Sequence, residues 1–464
     1  MRPESAEDPR HGEAAPSDVP QRGPFSGYYG TAIPDEDREL THVLPGTPGG
    51  EYLRRFWQPV ALAAHLSDVP LVVRILGEDL VLFRDLRGRL GLLHRHCVHR
   101  RASLEYGRIE ESGIRCCYHG WLFGRDGRVL ETPGEPDSST IRGRLWQGAY
   151  PTREFGGLVF AYLGPPATVP DFPVIDNFLI PGSTIVPYAH AYPSNWLQVA
   201  ENSFDSTHVA FLHTRHGKAQ FSPLLGAVPT LRFYRRPIGL YHAQARRVGE
   251  NVWVSSKDIL LPNVTQAGAV FSVADNQPRY FGRSTFTRWV VPHDNVRSTV
   301  FGVAHFNPRS DPYRPEYATR ESLEVLEAGT PAVRPYAEQQ RNPGDLEAIG
   351  SQGPIAIHAK EHLASTDEGV ALYRRQLRRA IRQLAAGTEP PSQTAEGNNP
   401  VRTYGGSTIL RIARRPETTT PAFLKALSDE VMALYVAGDQ VEPERRDDSI
   451  RQALEALERH YDVA

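Results

Sequence analysis

From about Tyr52 to Pro165 the chain consists of short runs in which apolar and polar positions alternate, each broken within a few residues by Gly or Asp. These runs are LVVRILGEDLVLF (71–83), LGLLHRHCV (90–98), IRCCYHGWLFGRDGRVLE (114–131) and GGLVFAYLG (156–164). A period of two puts successive side chains on opposite faces of a strand. The Asp126-Gly127 pair between two such runs is a hairpin signal. This region reads as a small all-β unit. A Pro-rich stretch at 165–182 marks a linker. A helical stretch is predicted over about 195–213, starting at Asn195. Longer alternating segments follow: TLRFYRRP, GLYHAQARRV, NVWVSSKDILL, YFGRSTFTRWVV and STVFGVAHF. They predict one large antiparallel sheet. The best helix begins at Ser365, where Ser365-Thr366-Asp367-Glu368 forms a capping box. Val370, Tyr373, Leu377, Ile381 and Leu384 then recur at helical spacing. Residues 386–421 read as loop, and amphipathic helices at 423–435 and 448–461 close the chain. The polar opening, rich in Pro, Glu, Asp and Ser, reads as a disordered tail. The predicted division is a tail over 1–44, a β domain over 45–165 and a second domain over 166–464.

Composition narrows the function. Lys and Arg number 52 against 54 Asp and Glu, a balance of −2 without any long charged block, so there is no electrostatic footprint for nucleic acid or an anionic membrane. Glycine and proline, 39 each, suit a turn-rich β protein and exclude a helical bundle or coiled coil. No apolar run reaches the roughly 18 residues that span a bilayer, and no secretory signal is visible at the N-terminus. The three cysteines, Cys97, Cys116 and Cys117, cannot staple a chain of 464 residues. A reducing cytoplasm is the expected compartment, where clustered cysteines point to metal.

Cys97-Val98-His99 and Cys116-Cys117-Tyr118-His119 make a C-x-H and C-x-x-H pair at two strand-to-turn transitions. Two thiolates and two imidazoles on adjacent loops can hold a four-coordinate zinc or a [2Fe–2S] cluster, and spacing alone leaves the two equal. It also permits Cys116 or Cys117 as the second thiolate. Further on, Asn195 to His213 carries Asp205, His208 and His213. On an ideal helix Asp205 and His208 share a face, whereas His208 and His213 lie about 140° apart. Both can reach one metal only if the helix ends or bends between them. His213 with His216 is the more natural helical pair.

CVHR, then CCYHGWLFGRDGRV, then YPTREFGGLVFAYLGPP resemble the Rieske domain of Rieske non-haem iron oxygenases over about residues 50–165. The run E-N-x-x-D-x-x-H-x-x-x-x-H after Asn195-Trp196 resembles the same family's catalytic motif, and the C-terminal block around Asp345 to Arg375 is most similar to its phthalate-dioxygenase-like branch. The resemblance implies an α+β chain, with an N-terminal all-β Rieske domain and then a helix-grip catalytic domain with an antiparallel sheet. It implies a [2Fe–2S] cluster on Cys97, His99, Cys116 and His119, which selects Cys116 over Cys117. It implies mononuclear Fe(II) on His208 and His213, with Asp205 as a relay residue and O2 as co-substrate. The third ligand falls on Asp345, with Glu347 as the fallback. An Asp after Pro-Gly before a helix also reads as a helix cap. Pocket candidates are Asn202, Phe204, Val209, Phe211 and Leu212, with Asn202 placed to orient dioxygen or substrate. The implied protein is a homotrimeric terminal oxygenase fed by an NAD(P)H-dependent flavin- and ferredoxin-type reductase. It would hydroxylate an aromatic or other apolar small molecule, the alternative being oxidative O- or N-demethylation. A bare electron carrier or zinc module is the distant alternative, since the former would need only the first 165 residues.

Overall fold

A computed structural model describes residues 34–217, 223–267, 278–306, 334–391, 393 and 400–463. The N-terminal β domain holds three small antiparallel sheets. One joins strands 71–75, 78–84, 90–94 and 149–150; a second joins 108–110, 113–115, 122–123 and 129–131; a third joins 57–62, 158–162 and 152–155. The Asp126-Gly127 turn links strands 122–123 and 129–131. Gly127 has φ +85°, and a Cβ there would stand 2.0 Å from the Gln147 carbonyl oxygen, so the turn demands glycine.

The second domain is one large antiparallel sheet with helices, as the alternating segments predict. Its order runs through strands 184–192, 298–306, 286–292, 264–267, 251–260, 239–248 and 230–236. Helix Glu368–Ala385 packs on the sheet through Val370, Tyr373, Leu377 and Ile381, all buried. It starts three residues later than predicted. Ser365–Asp367 form a 3-10 turn, and the Asp367 carboxylate accepts from the Ala364 N–H at 2.8 Å. Helices Pro421–Ala437 and Pro443–Val463 cover the far end of the sheet, packing on strands 230–236, 239–248 and 279–283.

Three expectations are corrected. The region 386–421 is not all loop: Gly406–Arg411 is a buried strand pairing with 251–256 on one side and 279–283 on the other. The Pro-rich stretch is a packed strap. Phe172 and Phe178 lie against the core, and buried Asp176 accepts from the Thr403 hydroxyl at 2.6 Å and pairs with Arg283 at 2.9 Å. Of the predicted tail over 1–44, residues 1–33 lie outside the described residues, and the remainder is packed structure. Arg38–Thr41 is a helical turn with Leu40 buried, and Val43 is buried beside it. Thr41 and Val43 bond to Asn195 and Asn295. One apolar core, from Leu40 through Leu158–Ala161 to Trp289 and Tyr373, runs through both domains. No helix among the described residues is long and apolar enough to cross a membrane.

Truncating Leu40 to alanine should cost about 2–5 kcal/mol of unfolding free energy, read as a lower midpoint in urea. If the segment were tail, the midpoint would not move.

Candidate metal centres

The two loops of the β domain are built alike. The Cys97 N–H donates to the Ala102 carbonyl at 2.9 Å, and the Arg101 N–H donates back to the Cys97 carbonyl at 2.9 Å. In the second loop the Cys116 N–H donates to the Trp121 carbonyl at 2.8 Å, and the Gly120 N–H donates to the Cys116 carbonyl at 3.1 Å. Both return through positive φ, Arg101 at +68° and Gly120 at +72°. Buried Gln147 pins the first loop, accepting from the Val98 N–H at 2.7 Å and donating to the His94 and His96 carbonyls.

This twin-loop frame buries the two sulfurs and leaves the imidazoles outermost. Cys97 and Cys116 are 2% and 3% exposed, whereas His99 and His119 are half-buried and Cys117 is exposed. The His99 and His119 rings meet edge-on at 4.6 Å, and His99 stacks on buried Trp121 at 4.4 Å. Burial pushes the Cys97 thiol up to about 11, with the Cys116 sulfur adding to the rise. Two facing thiolates in such a place need a cationic centre, so this donor set fits an iron–sulfur cluster. Among the described residues, the sets of three donors within 4.8 Å of one another are His208/His213/Asp345 and Glu201/His358/Glu361.

In the second domain the stretch predicted as helical over about 195–213 is three pieces. Trp196–Glu201 is helical, with the Asn195 side chain accepting from the Leu197 N–H at 3.0 Å. The chain then breaks, and Asp205 Oδ1 accepts from the N–H groups of Thr207 and His208 at 2.9 and 3.1 Å to start Thr207–Ala210. A π-helical turn over Phe211–Arg215 follows. Its wider winding is the bend that brings His213 round towards His208, their rings 5.2 Å apart.

Asp345 arrives from the other side. It opens helix Asp345–Gly350 but is not the cap: the residue before it is Gly344, whose N–H donates to Glu347 at 2.8 Å. Glu347, the fallback ligand, is also paired with Arg334 at 2.9 Å. Asp345 Oδ1 lies 3.2 Å from His213 Nε2 and 3.6 Å from His208 Nε2, and accepts from Asn202 Nδ2 at 3.1 Å. Burial works against its ionisation, but His213, His208 and Asn202 together hold the carboxyl well below the usual range. Asp205 Oδ2 stands behind, 3.5 Å from His208 Nδ1. Buried Gln198 clamps the two segments: its amide donates to the Ile349 and Gly353 carbonyls at 3.1 and 2.9 Å and accepts from the Ala356 N–H at 2.8 Å.

The three donors face a cavity of about 190 Å³. Asn202 and Val209 line it, as predicted of pocket residues, and Leu212 lines a second cavity on the Asp205 side. Two pocket candidates do not fit. Phe204 is buried against Tyr373, ring centroids 4.6 Å apart, and Phe211 is 49% exposed. His216 is exposed. Residues the sequence reading missed come from one sheet face at period two: Trp253, Ser255 and Lys257 on one strand, Phe286, Arg288 and Val290 on another. The available signal was a charged residue at an inward strand position. The other donor triad is already satisfied, because the Arg374 guanidinium bridges Glu201 and Glu361.

The family model of the Rieske [2Fe-2S] domain matches residues 56–145. The oxygenase subunit of tert-butanol monooxygenase / tert-amyl alcohol desaturase from Aquincola tertiaricarbonis is 40% identical over 90% of this chain and 93% of its own. The phthalate 4,5-dioxygenase oxygenase subunit of Pseudomonas putida is 30% identical over 76% of this chain and 87% of its own. The crystal structure of dicamba monooxygenase bound to dicamba superposes with a TM-score of 0.55 at 19% identity, covering 73% of this chain and 99% of that one, which supports the two-domain fold. With full-length relatives of this kind and a Rieske [2Fe–2S] domain in place, the chain belongs to the Rieske non-haem iron oxygenases, as the catalytic alpha subunit that forms their terminal component.

Proposed function

We propose that His208, His213 and Asp345 hold a mononuclear Fe(II), that Cys97, His99, Cys116 and His119 hold the cluster, and that the chain hydroxylates a small organic molecule bound in the adjoining cavity. The observation that carries this reading is the convergence of two imidazoles and one carboxylate, all donor atoms within 4.8 Å, at the wall of a cavity. Two histidines and one carboxylate leave coordination positions open for dioxygen beside a substrate. Iron in that site supplies dioxygen activation, with electrons drawn through the cluster from an external NAD(P)H-dependent flavin- and ferredoxin-type reductase. The protein's own part is positioning. Asn202 donates to the Asp345 oxygen nearest both histidines. Val209, Trp253 and Val290 form apolar patches of the cavity wall, between polar positions such as Gln244, Ser255 and Thr265. The named relatives act on an aliphatic alcohol and on phthalate, so their names do not carry over a substrate.

Asp205 faces a second cavity, of about 590 Å³, lined also by His208, Glu201 and Lys360. We place the neighbouring subunit's cluster there, in a head-to-tail ring of three, with Asp205 linking the approaching imidazole to His208. Burial opposes the charge on Asp205, but the His208 ring and the two N–H groups hold its pKa below the ordinary value. It remains an anionic acceptor at neutral pH, suited to charge-assisted bonds on both sides.

Cys116→Ser should abolish the cluster's visible absorbance, while Cys117→Ser, at an exposed position, should retain it; the opposite result would move the loop register by one residue. Asp345→Ala should lower bound iron from about three to about two per chain with the cluster spectrum intact. It should also spare the roughly 0.5–2 kcal/mol that loss of a true helix cap costs, because Glu347 carries the cap. Co-expressing His119→Ala with His213→Ala chains tests the ring. Transfer across a heterologous interface should restore about a quarter of native turnover, and transfer within one chain should restore none.

A further inference from the structure

The chain breaks between the helical pieces Trp196–Glu201 and Thr207–Ala210, and one backbone group in that break finds its partner on the sheet. The N–H groups of Ser203 and Phe204 donate back to the Ala200 and Glu201 carbonyls at 3.2 and 2.9 Å. Among the described residues no backbone N–H donates to the Ser203 carbonyl, which is left over as carbonyls at a helix end are. Its donor is the Lys257 ammonium, 3.3 Å away, from strand 251–260. A buried cation is held at a cost unless an anion or several acceptors meet it. Burial pushes Lys257 down to about 8, while Asp205 and Asp345 pull the other way, so it stays mostly charged at neutral pH. His242, registered opposite Lys257, is stacked on Phe233 and held neutral, pushed down to about 3 by burial. The ammonium is therefore the charged donor at this place.

The residues around Ser203 serve the metal donors. Asn202 Nδ2 donates to Asp345 Oδ1 at 3.1 Å and stands 3.4 Å from His208 Nε2. Asp205 Oδ1 accepts from the N–H groups of Thr207 and His208, and its Oδ2 lies 3.5 Å from His208 Nδ1. Phe204, between them, packs on Tyr373. The Ser203 carbonyl belongs to the planar peptide unit that joins Ser203 to Phe204. A donor that fixes its direction fixes how the chain passes from Asn202 to Asp205. The charge of Lys257 and its hydrogen bond act in opposite senses here. A positive charge at the cavity wall repels a divalent ion bound at that wall. The hydrogen bond holds the arrangement that receives the ion.

We propose that Lys257 is a positioning residue for the mononuclear iron: by holding the Ser203 carbonyl it fixes the break in the histidine-bearing segment, and with it the bond from Asn202 to Asp345. This rests on the reading above that places iron on His208, His213 and Asp345. Lys257 touches none of the three donors and acts on them only through the backbone of Ser203 and the side chain of Asn202. Groups that orient the ligands of a metal in this way typically carry a large share of its affinity.

The test is an anaerobic titration of Fe(II) into the full chain with its cluster intact, against a competing colorimetric chelator, so that affinity is read without turnover. Lys257→Met should weaken binding of the third iron roughly ten-fold. If the ammonium acted only as a charge, its removal would tighten binding, so unchanged or tighter binding overturns the proposal. Asn202→Ala should also weaken binding roughly ten-fold. The double variant should lose little more than Asn202→Ala alone, because both changes break one chain of contacts. A double variant that shows the product of the two losses, roughly a hundred-fold, overturns the route through Asn202. A role of Lys257 confined to stability would lower the urea midpoint and leave the two losses independent, which overturns it too. If Lys257→Met does not fold, Lys257→Gln takes its place in the same cycle, and independence of the two losses remains the overturning result. A native protein that takes up no iron beyond the cluster's two overturns the iron assignment itself. A native protein that takes it up, with Lys257→Met binding as well or better, overturns this inference only.

Discussion

A carboxylate wedged between two imidazoles organises the second domain. Asp345 and its hydrogen-bond partner Asn202 are 143 positions apart in the chain, and nothing local brings them together. The joint is made by Gln198, whose buried amide bonds with Ile349, Gly353 and Ala356, and by the Asn195 N–H, which donates to the Pro354 carbonyl at 2.8 Å. Asn195 also caps its helix and donates to the Thr41 and Asn295 carbonyls. One asparagine therefore ties the N-terminal segment, a sheet turn and the histidine-bearing helix to one point. Helix Glu368–Ala385 is tied in through Arg374, which grips Glu201 one residue before Asn202. Each clamp is a buried polar group with its partners supplied, the condition under which such groups specify a structure instead of weakening it.

The β domain solves a different problem with the same economy. The proposed cluster site calls for two sulfurs kept from water and two imidazoles on the outside. The twin loops deliver both, because each cysteine lies at the buried start of its loop and each histidine on the outward turn. Gly120 takes the positive φ of the second loop at no steric cost, whereas Arg101 takes it in the first against ordinary preference. The frame of hydrogen bonds around Cys97, with Gln147 behind it, holds that backbone in place.

Much of this was legible in the sequence, and the failures share a cause. The cysteine and histidine spacings are local, so they could be read directly, and the need for a bend between His208 and His213 followed from helical geometry before the π turn was seen. The choice between Asp345 as ligand and Asp345 as cap was not local: it turns on Glu347 reaching the Gly344 N–H and on where Asn202 and His213 lie. Strand Gly406–Arg411 was missed because it sits in a stretch rich in Gly, Pro and Asn, and becomes a strand by pairing with two distant ones. Leu40 and Val43 were assigned to the tail because two apolar residues make no period; their burial comes from a core already built by others. Phe204 and Phe211 could not be sorted from Val209 by sequence, since the break after Glu201 and the π turn reset which face each occupies.

Geometry alone does not make a metal site, and the two donor triads demonstrate why. Glu201, His358 and Glu361 stand as close together as His208, His213 and Asp345. Around the former, Arg374 neutralises both carboxylates with bonds from its own guanidinium. Around the latter, the groups touching Asp345 are two imidazoles and a neutral amide, none of which carries a permanent positive charge. A carboxylate set between two imidazoles, with no permanent cation against it, is an arrangement that a divalent cation would complete. Lys257 is near enough to feel Asp345 but makes no ion pair with it, bonding instead to the Ser203 carbonyl. The two charges are held apart on different elements, the negative one on the helix that meets the histidines and the positive one on the sheet face across the cavity. Each charge has its own neighbours, two imidazoles and an amide around Asp345 and the Ser203 carbonyl at the Lys257 ammonium.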